Sequence, residues 1–324
     1  FMSQEKELDK DIMKNTVSII LLSYNSNDKL TKTYNEINRV FKLENINFEI
    51  IIIDDCSSDN SFVTAKELAS NDKRVKAHQL SKNYTSHYSI FAGLTKAEGD
   101  CAVVIPDDFQ VPIESVIEMY KLWKEGESIV IPYRESRDDN FLSKLFSRLY
   151  YKIMNLYSDV QFPQGGADTF LIDREIIDII NTHISPRNTS SIVEVLKLGF
   201  NPKYLGIVRG KSRNTLSRWT FKKKIRLAKD TFISSSSAPI KLISSLGVLS
   251  FFVSIGLIIF WTYSKVMGNI NVPGWTLLVI LISTFSGLIL ISLGIIAEYI
   301  WRIFDEVKGN PAYLIKKKSV SYKK

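Results

Sequence analysis

The stretch that decides the fold is Glu49-Ile-Ile-Ile-Ile-Asp-Asp55, four isoleucines followed by two adjacent carboxylates. A run that is apolar at every position, rather than every second one, is typical of a strand buried on both faces. Comparable apolar runs predict four more strands, at Val17–Leu22, Val75–Leu80, Cys101–Ile105 and Ile129–Ile131. Helical spacing at Lys29–Lys42 and Ser61–Ser70 separates the first three strands. This alternation predicts an α/β fold with a mostly parallel sheet covered by helices on both faces.

Polar residues end three of the predicted strands: Ser23-Tyr24-Asn25, Asp54-Asp55 and Asp107-Asp108. Ligands of open α/β sheets bind beyond the carboxyl ends of the strands, so these residues mark the expected site. Asp108 and Gln110 are two residues apart and would face the same side of an extended chain. Oxygen ligands so placed suit a hard cation that also binds phosphate, which predicts Mg²⁺ or Mn²⁺ bridging a diphosphate. For Asp54 or Asp59 the alternative is structural, because Ser57-Ser58-Asp59-Asn60 is a good N-cap cluster and either acid could cap a helix.

The composition allows an α/β domain with an appendage and favours an anionic partner. The 324 residues carry a net charge of +8, which fits nucleic acid, phosphorylated metabolites or anionic lipid. The two cysteines, Cys56 and Cys101, lack metal-site spacing and indicate a reducing compartment. The first fifteen residues are charged and lack the apolar core of a signal peptide, so we expect the chain to begin in the cytoplasm.

Two apolar stretches follow the α/β region, Leu246–Met267 and Trp275–Ala297. Each has about 22 residues, enough to cross a hydrocarbon core of about 30 Å as a helix. Basic residues flank the pair on both sides, and the positive-inside rule then places both flanks in the cytoplasm. The sequence therefore predicts a transmembrane hairpin, with membrane lipid rather than nucleic acid as the partner of the basic segments.

Short motifs stand in order along the chain: Ser18-Ile-Ile-Leu-Leu-Ser-Tyr-Asn25, Glu49 to Asp59, Leu80-Ser-Lys-Asn83, Ala92-Gly-Leu94, Gly99-Asp100 and Asp107-Asp-Phe-Gln110. They resemble the motifs of family-two glycosyltransferases. Later segments narrow the resemblance: Gly166 to Arg174, Gly210 to Arg213, Ser217 to Lys223, and Leu293 to Ile300 with Asp305 to Lys308. These are similar to the polyprenyl-phosphate glycosyltransferases, the group of dolichol-phosphate mannose synthase and the bactoprenol glucosyltransferases.

The resemblance implies a GT-A fold and a metal-dependent, inverting transfer of sugar from a nucleotide diphosphate to a polyprenyl phosphate, expected to be undecaprenyl phosphate. It implies a multi-pass protein of the cytoplasmic membrane, with the catalytic domain and both termini in the cytoplasm. A homo-oligomer, a flippase and a downstream glycosyltransferase are further expected partners. The expected parts are an N-terminal tail, a GT-A domain, a basic amphipathic interface segment, the hairpin and a basic tail, at residues 1–15, 16–210, 211–243, 244–300 and 301–324.

The resemblance also assigns site residues by position. The groups expected to act on the reacting phosphates and sugar are Asp108, Asp168, Arg134 and Arg148, with Asp108 and Gln110 holding the metal. Arg134 and Arg148 would approach the acceptor phosphate, and Asp168 would lie near the donor sugar. The expected donor-binding residues are Ser23, Tyr24, Asn25, Asp54, Asp55, Lys82, Asp107, Arg209, Ser217, Arg218 and Lys223.

Two departures from the family pattern keep other hypotheses open. The usual Asp-x-Asp-x-Gln begins here with Pro106, and the usual Gly-His pair is replaced by Thr85-Ser86, with His87 one place later as a candidate site residue. One alternative is a transferase that extends a lipid-linked glycan, in which Asp168 would be the general base for a hydroxyl acceptor. Another is a non-catalytic membrane partner with a degenerate donor site.

Overall fold

The computed structural model describes residues 15–106, 111–134, 169–187, 189–207, 275–316 and 320–321, with scattered positions between 243 and 267. The chain divides into two compact units. The first unit comprises Phe1–Thr231 together with Pro311–Lys324, and the second comprises Phe232–Asn310. The last residues of the chain therefore cluster with the N-terminal α/β region.

Within the described residues the first unit is built on one eight-stranded sheet. Its strands are β1 (Val17–Ser23), β2 (Phe48–Asp54), β3 (Val75–Gln79), β4 (Cys101–Ile105), β5 (Ile129–Arg134), β6 (Leu171–Asp173), β7 (Lys203–Ile207) and β8 (Val320–Ser321). They lie in the order β7-β5-β6-β4-β1-β2-β3-β8. The pairs among β1 to β4 are parallel, as is β5 with β7, whereas β6 and β8 pair antiparallel to their neighbours.

The five predicted strands are confirmed, and the sheet is mostly parallel as expected. The prediction lacked β6, β7 and β8. Strands of three and two residues, such as β6 and β8, are too short to show the periodicity on which a strand prediction rests. The result is a mixed, mostly parallel α/β sheet.

The helices are α1 (Asn27–Leu43), α2 (Ser61–Asn71), α3 (Ser86–Leu94), α4 (Ile113–Lys124), α5 (Arg174–His183), α6 (Ser191–Lys197) and α7 (Trp275–Val307). Alternate residues of β2 face opposite sides of the sheet, because successive side chains of a strand do so. Ile50 and Ile52 join the core beneath α1, α2 and α4, whereas Ile51 and Ile53 join the core beneath α3, α5 and α6. Covering helices on both faces explain the unbroken apolar run.

Gly93 lets α3 pack directly onto β1. A Cβ atom at this position would lie 2.3 Å from Cγ2 of Ile20, which is itself fully buried. We expect Gly93→Ala to lower the free energy of unfolding by about 1–3 kcal/mol, because overpacking outweighs the better helix propensity of alanine. Denaturant unfolding of the full chain measures this effect.

The matched control for Gly93→Ala is Gly294→Ala, since a Cβ at helical Gly294 would meet no described atom within 4 Å. This control should leave the unfolding of the α/β unit unchanged. Equal stability of the Gly93→Ala protein and the parent chain would contradict the close packing of α3 on β1.

The second unit contains α7, whose surface is strongly apolar. Among the described residues, one helical segment is long and apolar enough to cross a membrane, Thr284–Val307, with a mean hydropathy of 1.7. None of that segment is buried, and most of its leucines and isoleucines are exposed. The helix covers the predicted second span. The predicted first span, 246–267, is described only at scattered positions, so the two-helix hairpin stays a prediction.

Candidate functional site

The carboxyl ends of three parallel strands bring polar side chains to one edge of the sheet. In the register of the sheet, Ser23 of β1 pairs with Asp54 of β2, and Asp54 pairs with Gln79 of β3. Ile105, the last residue of β4, pairs with Leu21 of β1, so β4 ends at the same edge. We call the group formed by the ends of β1, β2 and β3 and the loops that follow them the donor corner.

Asp54 organises this corner from a fully buried position. One carboxylate oxygen accepts a hydrogen bond from the Ser57 hydroxyl at 2.5 Å. The other accepts from the Ser57 N–H at 3.1 Å and from Nε2 of Gln79 at 2.8 Å. These contacts tie the loop after β2 to the end of β3. Asp54 therefore positions the loop after β2, and its direct contact with a nucleoside stays a prediction.

Asp55 holds the loop after β3. Its two carboxylate oxygens accept hydrogen bonds from the N–H groups of Tyr84 and Thr85 at 2.7 and 2.9 Å. Thr85 has a φ of +87°, which is costly for a β-branched residue, so these two bonds hold a strained turn. Burial raises the pKa of Asp55 to about 6, although the two N–H bonds act in the opposite direction.

Asn25 joins the loop after β1 to the loop after β2. Its N–H donates to the Ser57 hydroxyl at 3.0 Å, and its Oδ1 accepts from the Ser58 N–H at 2.9 Å. Its φ of 49° lies in the left-handed region, which asparagine tolerates better than most residues. Ser57 therefore contacts both Asn25 and Asp54, and the two loops form one hydrogen-bonded network.

The remaining described candidates lie at the same edge. The Ser23 hydroxyl is buried and finds no hydrogen-bond partner among the described residues, whereas Tyr24 is 37% exposed. The Lys82 ammonium lies 4.9 Å from the ring centroid of Tyr84, whose hydroxyl is 3.0 Å from that of Ser81. Ser23, Tyr24, Asn25, Asp54, Asp55 and Lys82 thus belong to the strand ends and loops of the donor corner.

Other predicted residues fall outside the described part of the chain: Asp107, Asp108, Gln110, Arg148, Asp168, Arg209, Ser217, Arg218 and Lys223. Arg134 ends β5, where its backbone pairs with Ile207. His87 lies in the first turn of α3, with Nδ1 3.4 Å from the hydroxyl of Ser190. The described residues contain no cluster of three or more His, Cys, Asp or Glu that could hold a metal ion, and the predicted metal ligands are not among them.

The sequence prediction missed Gln79 as a site residue. Gln79 closes a predicted strand, so its position at the sheet edge was a usable signal. Its contact with Asp54 depends on the pairing of β2 with β3, which a single sequence does not reveal.

Hydrogen-bonding side chains thus gather at the carboxyl edge of the parallel strands, which is where α/β proteins bind their ligands. Residues 18–180 match the family Glycosyl transferase family 2. The chain belongs to this family, and it is a glycosyltransferase.

Several relatives match almost the whole chain. The uncharacterized glycosyltransferase YkcC of Bacillus subtilis is 30% identical over 301 residues, covering 93% of each chain. The SfII prophage-derived bactoprenol glucosyl transferase of Shigella flexneri is 28% identical over 307 residues, covering 93% of this chain and 97% of the relative. The undecaprenyl-phosphate 4-deoxy-4-formamido-L-arabinose transferase of Proteus mirabilis is 27% identical over 311 residues, covering 94% of each. The similarity therefore extends beyond the α/β unit into the apolar C-terminal region.

Proposed function

We propose that this chain transfers a sugar from a nucleotide-diphosphate sugar to a polyprenyl phosphate, with undecaprenyl phosphate as the expected acceptor. The observation that carries the proposal is the similarity, over 93% and 94% of the chain, to relatives named for bactoprenol and undecaprenyl phosphate. The donor corner supports binding of the nucleotide sugar, because hydrogen bonds fix its three loops at the edge where α/β sheets bind ligands.

The donor's diphosphate calls for a divalent cation. Asp108 and Gln110 would hold Mg²⁺ or Mn²⁺, since a carboxylate and an amide carbonyl are oxygen donors of the kind these ions take. Pro106 replaces one family carboxylate, which leaves Asp107 as the further acid beside this pair. When bound, the ion would neutralise charge on the departing nucleoside diphosphate.

The acceptor phosphate can attack without a general base. The second pKa of a phosphate monoester is about 6, so the group is mostly dianionic at neutral pH. One of its oxygens would bond to the anomeric carbon as the bond from that carbon to the donor diphosphate breaks, a single displacement that inverts the configuration. Arg134 and Arg148 would hold the acceptor phosphate in line, because the planar guanidinium matches phosphate oxygens. Asp168 would lie beside the donor sugar.

The acceptor lipid requires contact with a membrane. The exposed apolar surface of Thr284–Val307 suits a membrane anchor. Residues 246–267 would add the second arm of a hairpin, and the basic segment 211–243, with Arg209 just before it, would lie against the anionic surface near the donor diphosphate. The catalytic unit and both termini would then face the cytoplasm.

The direct test is to incubate the purified full chain with a short polyprenyl phosphate, Mg²⁺ or Mn²⁺, and UDP-, GDP- and dTDP-sugars in turn. We expect one donor to yield a lipid whose mass has increased by one sugar, detected by mass spectrometry. A parallel reaction offers a lipid-linked glycan as acceptor. Extension of that glycan, with no product from the polyprenyl phosphate, would contradict the proposal and favour the glycan-extending transferase. Nucleotide binding without turnover on either acceptor would favour the non-catalytic partner.

A further inference from the structure

The segment that follows α7 returns to the α/β unit and adds to the edge of its sheet. This return segment, Pro311–Ser321, is described at residues 311–316 and 320–321. Its β8 strand pairs antiparallel with β3, and Ile315 forms an isolated antiparallel bridge with Leu80. The part of the chain expected from sequence to be a basic tail thus contributes an edge strand beside the donor corner.

Apolar packing and backbone hydrogen bonds both hold the return segment. Tyr313 and Ile315 pack against the core beneath α3, α5 and α6. The Ser81 N–H donates to the carbonyl of Leu314 at 2.8 Å. The Lys316 N–H donates to the carbonyl of Gln79 at the same distance. These contacts fix the backbone of Lys316 next to the end of β3.

The Lys316 side chain completes a chain of hydrogen bonds that ends at Asp54. Its ammonium donates to Oε1 of Gln79 at 2.8 Å, and Nε2 of Gln79 donates to Asp54 at 2.8 Å. The ammonium also lies 3.9 Å from Sγ of Cys56, in the loop after β2. Lysine can only donate and a carboxylate can only accept, so this order fixes which end of the Gln79 amide faces each partner.

We propose that Lys316 is a positioning residue of the donor site. With the ammonium in place, the Gln79 amide keeps its N–H toward Asp54, and Asp54 keeps its bonds to Ser57. Ser57 in turn receives the Asn25 N–H, so the order extends to the loop after β1. Without the ammonium, Oε1 of Gln79 loses the charged donor that helps to hold this side chain against Asp54. The bond from Gln79 to Asp54, which ties the loop after β2 to the end of β3, would then be held less firmly.

This inference rests on the proposed function, because it assumes that the donor corner binds the nucleotide. The test measures binding of UDP, GDP and dTDP to the full chain by titration calorimetry with Mg²⁺ or Mn²⁺ and without acceptor. We expect Lys316→Met to raise the Kd of the best-bound nucleotide about tenfold, since a lost charged hydrogen bond is an effect of this order. The donor KM should rise by a similar factor while kcat changes little.

Three single variants, and the double variant that combines Lys316→Met with Gln79→Met, separate positioning from general damage. Lys316→Arg keeps a donor for Gln79 and should restore most of the affinity. Lys308→Met removes an exposed lysine just after α7 and should bind nucleotide like the parent chain. Gln79→Met should weaken binding as Lys316→Met does. The double variant should be no weaker than either single variant, because the two side chains act in one chain of contacts.

The outcomes distinguish this inference from the proposal on which it rests. Parent-like Kd and donor KM in Lys316→Met would overturn the inference and leave the proposed function intact. Equal losses in Lys316→Met and Lys308→Met, or additive losses in the double variant, would also overturn it. A parent chain that binds none of the three nucleotides would overturn the proposed function and the inference together.

Discussion

Replacement of Asp108 by alanine is expected to reduce sugar transfer by at least about a thousandfold, the scale on which loss of a preorganised charge-stabilising group acts. The proposed role of this carboxylate is to hold the divalent ion that balances the charge of the departing nucleoside diphosphate. Initial rates with the active donor and a polyprenyl phosphate measure the effect. The loss should appear in kcat, because the ion matters most as negative charge develops on the leaving group.

The control for Asp108→Ala is Asp178→Ala, which removes an exposed carboxylate of α5 that pairs with Arg174. That variant should transfer sugar at the parent rate. Unfolding curves for both variants should match the parent chain, which would separate a lost metal ligand from a lost fold. A parent-like transfer rate in Asp108→Ala would contradict the assignment of Asp108 as a metal ligand.

Asp55→Asn is expected to weaken donor binding by about tenfold to a hundredfold. The carboxylate accepts from the N–H groups of both Tyr84 and Thr85, whereas an asparagine amide offers only one oxygen and turns an NH₂ group toward the second N–H. One buried N–H then lacks an acceptor, at a cost of about 1–3 kcal/mol, beside a turn that already contains Thr85 in the left-handed region. Titration calorimetry with the active donor's nucleoside diphosphate measures the change.

The stability difference between the parent chain and Asp55→Asn should depend on pH. The pKa of Asp55 is raised to about 6 in the folded chain, mainly by burial, so the folded state favours the protonated acid. Protonated Asp55 therefore contributes its full share of stability below the unfolded pKa of about 3.9. This contribution is lost as the pH rises through about 6, where the folded chain must ionise the buried acid. Between pH 4 and 7 the parent chain should lose roughly 1–3 kcal/mol of unfolding free energy relative to Asp55→Asn. A difference that stays constant over this range would contradict the raised pKa.

The central sheet could be predicted because its strands are long and apolar at consecutive positions. The isoleucine run of β2 has this property since helices cover both faces of the sheet. The position of the loops that follow β1 and β2 at one edge was also predictable, because parallel strands end at a common edge. By contrast, β6 and β8 are recognisable only from their pairing partners.

The internal order of the donor corner could not be predicted, because it depends on contacts between residues far apart in the chain. Lys316 and Gln79 are 237 positions apart, and no local pattern in a basic tail marks one lysine among several. For Asp54 the sequence predicted the position of the residue but not its contacts. Its burial and its bonds to Ser57 and Gln79 depend on how the neighbouring strands align.

The most direct test of the account compares two acceptors that differ only in the phosphate, a polyprenyl phosphate and the polyprenol of the same chain length. The full chain and its active donor would be incubated with each, and the initial rates of glycolipid formation measured at neutral pH. We expect a product from the phosphate and none from the alcohol, because the dianionic phosphate is its own nucleophile and needs no base. Comparable rates with the alcohol would contradict transfer to a lipid phosphate.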